Sequence, residues 1–245
     1  MRASSGMLGA IVLSLVLWPG QLSGQIREVN PDDARVEGGP YRFQAGAHIA
    51  LAIPQGEFSD FVGTGYGLGG WLAFNLDRRG AIALKLDGSF LIYGHETIRR
   101  PLSTSIPYVS VDISTSNNIY ALGFGPLITL SQGPIRPYIT GTVGFSYFAT
   151  ESSVKGSNNV DSFAESTNFD DFTFAWTGGG GLRIQLGHGR TPIFLDMASE
   201  YHRNGRANYL REGSIIDNGN GTISFTPIKS ETNLMLIKLG VSGNF

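Results

Sequence analysis

The chain has 245 residues, 18 basic and 20 acidic side chains and a formal net charge of −2. Such a balance offers no footprint for nucleic acid or for a strongly charged partner. Cysteine is absent, which excludes a disulfide framework, a thiol nucleophile and a cysteine metal site, and suits export through an oxidising space.

The first element is a leader. Arg2 gives a positive start, residues 7–18 are an apolar run, and Leu22-Ser23-Gly24 offers a small-residue cleavage site before Gln25. Residues 1–24 therefore read as a secretory signal peptide, since the run is short of the roughly 20 residues a spanning helix needs. Residues 25–40 are polar, with Pro and Gly, and read as a periplasmic tail.

From Tyr41 onward the pattern has period two, as expected of strands with two unlike faces. Eight such strands are predicted, at 41–53, 63–76, 81–93, 118–130, 136–149, 171–187, 192–203 and 231–245. The first carries Phe43, Ala45, Ala47, Ile49 and Leu51 on one face. The third carries Ile82, Leu84, Leu86, Phe90 and Ile92, and the last Met235, Ile237, Leu239, Val241 and Phe245. Tight turns ("DRRG", "SQGP", "HGRT") alternate with long connections at 54–62, 94–117, 150–170 and 204–230. An up-and-down barrel with short turns at one rim and long loops at the other produces this alternation. Inside the last loop, "IIDNGNGTISF" reads as a hairpin closed by Asn-Gly, and "YVSVDIS" (108–114) alternates and is expected to lengthen strand four above the membrane. The fold class expected is all-β: an eight-stranded antiparallel up-and-down transmembrane β-barrel occupying 41–245.

The second face decides the orientation. It is small where a water-exposed wall would be rich in Lys and Glu: Ala83 and Ser89, then Thr140, Thr142, Gly144 and Ser146, then Thr173, Ala175, Thr177, Gly179 and Gly181. Eight strands leave an interior just wide enough for side chains, so the small set faces inward and the apolar set faces lipid. Aromatics fall near the strand ends. Tyr66, Phe90, Tyr120, Tyr147, Phe172 and Tyr201 form one girdle; Phe43, Phe74 and Phe245 mark the other. The inward face also carries Lys85, Asp87, Arg183, Asp196, Glu200 and Lys238, three bases and three acids. Unpaired charge there is costly, so a salt-bridge network plugging the lumen is expected.

With a leader, eight amphipathic strands, alternating turns and loops, and the ending "NLMLIKLGVSGNF", the chain resembles the small outer-membrane β-barrels of the OmpA/OmpX/OmpW-like group. The resemblance implies a bacterial outer-membrane location. It also implies that Met235, Ile237, Leu239, Val241 and Phe245 are an insertion signal read by the barrel-assembly machinery. Contact with outer-membrane lipid follows, and surface ligands would meet the loops at 94–117, 150–170 and 204–230. The OmpW side of the resemblance implies an alternative, a narrow path for small apolar molecules.

Motifs for chemistry are weak. "GYGLGG" (Gly65–Gly70) has the letters of a dinucleotide fingerprint, but an apolar strand runs through it. "DNGNGT" lacks the later acids of a calcium loop. "SEYHRNG" resembles the histidine region of lipid A deacylases, yet Asn204 stands where their serine would, and His202 falls on the inward phase. His48, His95 and His188 lack metal spacing. No catalytic residue, cofactor or metal is expected, and the role expected is a non-enzymatic envelope or surface one.

Overall fold

The computed structural model describes residues 41–103, 106–156, 162–187, 191–211, 214–217 and 223–245. The leader and tail (1–24, 25–40), the "HGR" of one tight turn with His188, and the Asn-Gly tip of the hairpin at 218–222 lie outside these residues.

Twelve strands occur among the described residues: β1 Phe43–Pro54, β2 Gly65–Asn75, β3 Ile82–Ser103, β4 Ile106–Thr129, β5 Ile135–Gly156, β6 Ser162–Gln185, β7 Ile193–Asn204, β8 Arg206–Tyr209, β9 Ile215–Asp217, β10 Ile223–Phe225, β11 Ile228–Glu231 and β12 Leu234–Asn244. Eight close into an antiparallel barrel in the order β1-β12-β7-β6-β5-β4-β3-β2. The closing seam pairs Gln44 with Asn244 through to Pro54 with Leu234. Phe43 and Phe245 add a further exchange, with N–H to O=C distances of 3.1 and 2.8 Å. The last residue is thus stitched into the wall at the rim of the short turns, here called the terminal rim.

The side-chain partition follows the period. Ile49, Leu68, Leu72, Leu86, Leu122, Phe124, Val143, Phe174, Trp176, Ile237 and Leu239 are all exposed on the outer wall. Ala83, Thr140, Thr142, Ser146, Thr173, Ala175 and Thr177 are all buried within. A continuous apolar belt of this kind has no stable place in water, and it matches the lipid-facing band of membrane barrels. The aromatic girdle residues touch along the strand ladder. Ring centroids lie 5.0 Å apart for Phe90–Tyr120, 6.1 Å for Tyr120–Tyr147 and 5.5 Å for Phe43–Phe74.

The long connections differ from their sequence reading. Residues 108–114 extend strand four as expected, but the rest of 94–117 and 150–170, expected as loops, is largely strand too: β3, β4, β5 and β6 reach 22–24 residues each. Crossing a membrane takes about 9–11 strand residues. The remainder forms a four-stranded sheet beyond the belt, with pairs from Gly94/Asn117 to Ser103/Ile106 and from Asn118/Ala149 to Val111/Gly156. The described residues after Asn204 form two ribbons, β8 with β11 and β9 with β10, the latter at the place of the expected hairpin and pairing Asp217 with Ile223. Glu231 belongs to β11, so the last barrel strand starts at Leu234 and not at 231.

Close packing within the wall depends on particular glycines. A Cβ on Gly144 would lie 1.9 Å from the Leu122 carbonyl oxygen, an overlap only backbone movement could relieve. Gly144→Ala is therefore expected to slow or block barrel closure, seen as loss of the fast-migrating unboiled band on a gel. Normal migration would show that β4 and β5 can separate freely.

Candidate functional site: a layered lumen

The lumen is filled in layers, which the inward residues of β7 list from the terminal rim upward: Phe194, Asp196, Ala198, Glu200, His202 and Asn204.

At the terminal end, Arg183 is 2% exposed, and its Nη1 donates to Gln44 Oε1 at 2.5 Å and its Nη2 to Thr129 Oγ1 at 3.2 Å. Its guanidinium lies 4.8 Å from the Tyr138 ring centroid and 5.6 Å from that of Trp71. Trp71 has room because residue 46 is glycine: a Cβ there would lie 2.6 Å from the indole Nε1. Asp196 accepts from the Tyr138 hydroxyl at 2.8 Å.

Above this sits an alternating square of four ions from β3, β7 and β12. Lys85 Nζ lies 2.8 Å from Asp87 Oδ2 and 3.3 Å from Glu200 Oε1. Lys238 Nζ lies 3.1 Å from Asp87 Oδ1 and 2.6 Å from Glu200 Oε2. Each cation thus meets both anions, so the group is neutral and every charge has two partners. Such geometry is needed to offset the desolvation of buried ions.

The six ionic residues named from sequence therefore do not form one network. Four meet in the square. Arg183 and Asp196, although direct cross-strand partners, sit in the layer below and bond to Gln44, Thr129 and Tyr138 instead.

The next layer is neutral and polar. His202 sits between Ser146 Oγ, 3.1 Å from Nε2, and Thr177 Oγ1, 2.9 Å from Nδ1; Ser146 also donates to Asn204 Oδ1 at 2.8 Å. Small polar clefts flank the square, one edged by Asp87, Ser89, Thr142 and His202, the other by His48, Tyr138 and Asp196.

The top layer differs from the sequence expectation. The sequence reading makes the interior small and ionic throughout, but its loop end is apolar. Leu91, Tyr93, Ile119, Phe148, Leu234 and Leu236 point inward there. A short 3₁₀ turn, Gly56–Asp60, lowers a fully buried Phe58 into their midst. Phe58 stacks edge-on to Tyr209 at 5.0 Å, Tyr93 at 5.7 Å and Phe148 at 6.3 Å. Tyr93 OH donates to the Leu210 carbonyl at 3.2 Å. The signal was available in sequence: each of these strand residues is an apolar side chain in the inward phase near the loop end. The turn is tethered by Glu57, which accepts from Glu231 N–H at 3.1 Å and Arg206 Nη2 at 3.4 Å. The Glu231 amide, with help from Arg206, holds its carboxyl below the usual glutamate range.

The remaining residues named from sequence are on the outer wall. Phe43, Tyr66, Phe74, Tyr120 and Phe172 are exposed, and Phe90, Tyr147 and Tyr201 half-buried among neighbours. Ile237, Leu239, Val241 and Phe245 are exposed on β12, with Met235 half-buried. Among the described residues no group of three or more His, Asp or Glu is arranged to hold a metal ion.

Fold and partition together define an eight-stranded transmembrane β-barrel of the outer-membrane type. No family model and no curated protein matches the sequence. The solved structures to which the chain is similar are small outer-membrane barrels. Against Ail, the attachment invasion locus protein of Yersinia pestis, solved with the heparin analogue sucrose octasulfate, identity is 9% and the TM-score 0.45, covering 84% of this chain and 99% of that one. Against OprG from Pseudomonas aeruginosa the values are 11% and 0.43, covering 84% and 97%. Against Neisserial surface protein A they are 12% and 0.39, covering 82% and 95%.

Proposed function

We propose that the chain is a non-enzymatic protein of the bacterial outer membrane that keeps its lumen closed and acts through what it carries beyond the belt. The observation that carries this reading is the stack of ion square, polar layer and aromatic cap. It occupies the lumen at three successive heights and leaves the four-stranded sheet and the β8–β11 ribbons as the parts available to a partner. Contacts with envelope components, other cells or small ligands would be made there, through 94–117, 150–170 and 204–230. The apolar phase of β12, ending on Phe245, serves the assembly machinery as the insertion signal, and the belt meets outer-membrane lipid.

A filled lumen predicts electrical silence. Reconstituted into planar bilayers, the protein is expected to give no stable single-channel steps; sustained steps of uniform size would contradict the closed lumen.

The apolar cap favours one second reading, a path for small apolar molecules entering where Phe58 now sits. Enhanced uptake of such molecules by vesicles containing the native protein would favour it over the first. A lipid-modifying activity draws little support: His202 is buried and bonded to Ser146 and Thr177. Altered lipid A acylation that disappears with His202→Ala would revive it.

A further inference from the structure

The terminal rim carries exposed basic side chains. Arg42 immediately precedes the exposed Phe43, and Arg78 and Arg79 occupy the turn between exposed Leu76 and Ile82. Arg136, by contrast, belongs to the lumen: it pairs across strands with Arg183, its Nε donates to the Gly133 carbonyl at 3.0 Å and its guanidinium lies 4.5 Å over the buried Phe194 ring. None of Arg42, Arg78 and Arg79 takes part in an ion pair among the described residues. The acid beside them in the chain, Asp77, is occupied by its own turn: Oδ1 accepts from Ile82 N–H at 2.9 Å and Oδ2 from Arg79 N–H at 3.1 Å.

The loop rim is different in kind. Exposed Arg203 and Arg211 occur there too, but among acids that include Glu151, Asp170 and Asp171. Arg99 is paired with Asp112 at 2.8 Å and Arg206 with Glu57 at 3.4 Å. Among the described residues, the exposed arginines of the terminal rim thus lack the ion-pair partners that Arg99 and Arg206 have at the loop rim.

Depth selects the partner. Arg42, Arg78 and Arg79 stand one to three residues past the last belt side chain, within about 10 Å of the hydrocarbon edge at ~3.3 Å per residue. A guanidinium on a flexible stem reaches headgroup level from there. Phosphate is its natural bidentate acceptor.

We infer that Arg42, Arg78 and Arg79, beside β1 and in the β2–β3 turn, form a patch that binds the phosphate headgroups of anionic phospholipids, of the phosphatidylglycerol type, in the leaflet at the terminal rim. The inference rests on the transmembrane reading. Basic side chains at a membrane surface each favour anionic lipid by about fivefold, so the patch retains such lipids on the β1–β3 side of that rim.

The test is native mass spectrometry of the protein folded in a neutral detergent and supplied with equal phosphatidylglycerol and phosphatidylcholine. The native chain is expected to retain phosphatidylglycerol preferentially. The combined Arg42→Gln, Arg78→Gln and Arg79→Gln variant should lose that preference by on the order of tenfold or more, while Arg203→Gln with Arg211→Gln should keep it. Equal retention of the two lipids by the native chain, equal loss in both variants, or displacement by inorganic phosphate alone would overturn the inference. Gel heat-modifiability of each sample reports closure separately, so a failed barrel is told apart from a barrel without lipid preference. Should the triple variant not fold, salt added to the native chain replaces it. Roughly 0.5 M salt screens exposed charges and should abolish the preference, and a preference that survives would count against the patch.

Discussion

Replacing Lys238 by methionine is expected to destabilise the barrel by about 3–5 kcal/mol, the usual cost of leaving a buried ion without its partner. Lys238 is the shared neighbour of Asp87 and Glu200, at 3.1 and 2.6 Å. Its loss leaves two carboxylates against a single cation, Lys85, and an excess negative charge with little access to water. The measurement is reversible urea unfolding in lipid vesicles, followed by the shift between folded and unfolded gel bands. Neutralising the whole square at once, with Lys85→Met, Asp87→Asn, Glu200→Gln and Lys238→Met, should cost far less than the sum of the single changes, because no charge is stranded. Simple additivity of four independent losses would mean that the four ions do not act as a unit.

Phe58→Ala is expected to have the second large effect, about 3–5 kcal/mol of local stability, the range for truncating a fully buried Phe. Phe58 is 0% exposed and is the only ring that the 3₁₀ turn places among Tyr93, Phe148 and Tyr209. The loss should stay at the loop end. Faster proteolysis of the 55–64 connection and faster hydrogen exchange at Leu91 and Tyr93 are expected, with the ion square and the terminal seam unaffected. Uniform loosening of the whole barrel would show that the cap and the square are one cooperative unit.

Much of the wall could be read from sequence because the membrane imposes its period directly. Between Ile82 and Ile92 or Met235 and Val241, one face meets lipid and the other a crowded lumen, so the two phases differ sharply in size and polarity. The signal fades where its cause does. Beyond the belt both faces of β3–β6 lie outside lipid, "HETIRRPLS" loses its alternation, and a continuing strand takes on the composition of a loop. Phase also gives the face of a residue but not its height. Arg183 and Asp196 share the inward face with Lys85, Asp87, Glu200 and Lys238. Strand tilt and stagger decided which heads came level, and those quantities are set by the closed register, not by any local pattern. The aromatic cap was missed for a different reason. Its inward strand residues are few, and they gain meaning only when Phe58 arrives from a connecting segment.

The central claim is that neighbouring residues on one strand face lipid and a sealed interior in turn, and adjacent positions on β5 test it. Val143 is 58% exposed on the belt and Thr142 is 7% exposed in the lumen. The native chain contains no cysteine, so Val143→Cys and Thr142→Cys each give a single thiol. In folded, vesicle-embedded protein, Val143→Cys should react with a lipid-soluble maleimide and not with a charged, water-soluble one, and Thr142→Cys should react with neither. Ready labelling of Thr142→Cys by the water-soluble reagent would mean an open aqueous lumen, and lipid-phase labelling of Thr142→Cys with Val143→Cys protected would mean that the faces are reversed.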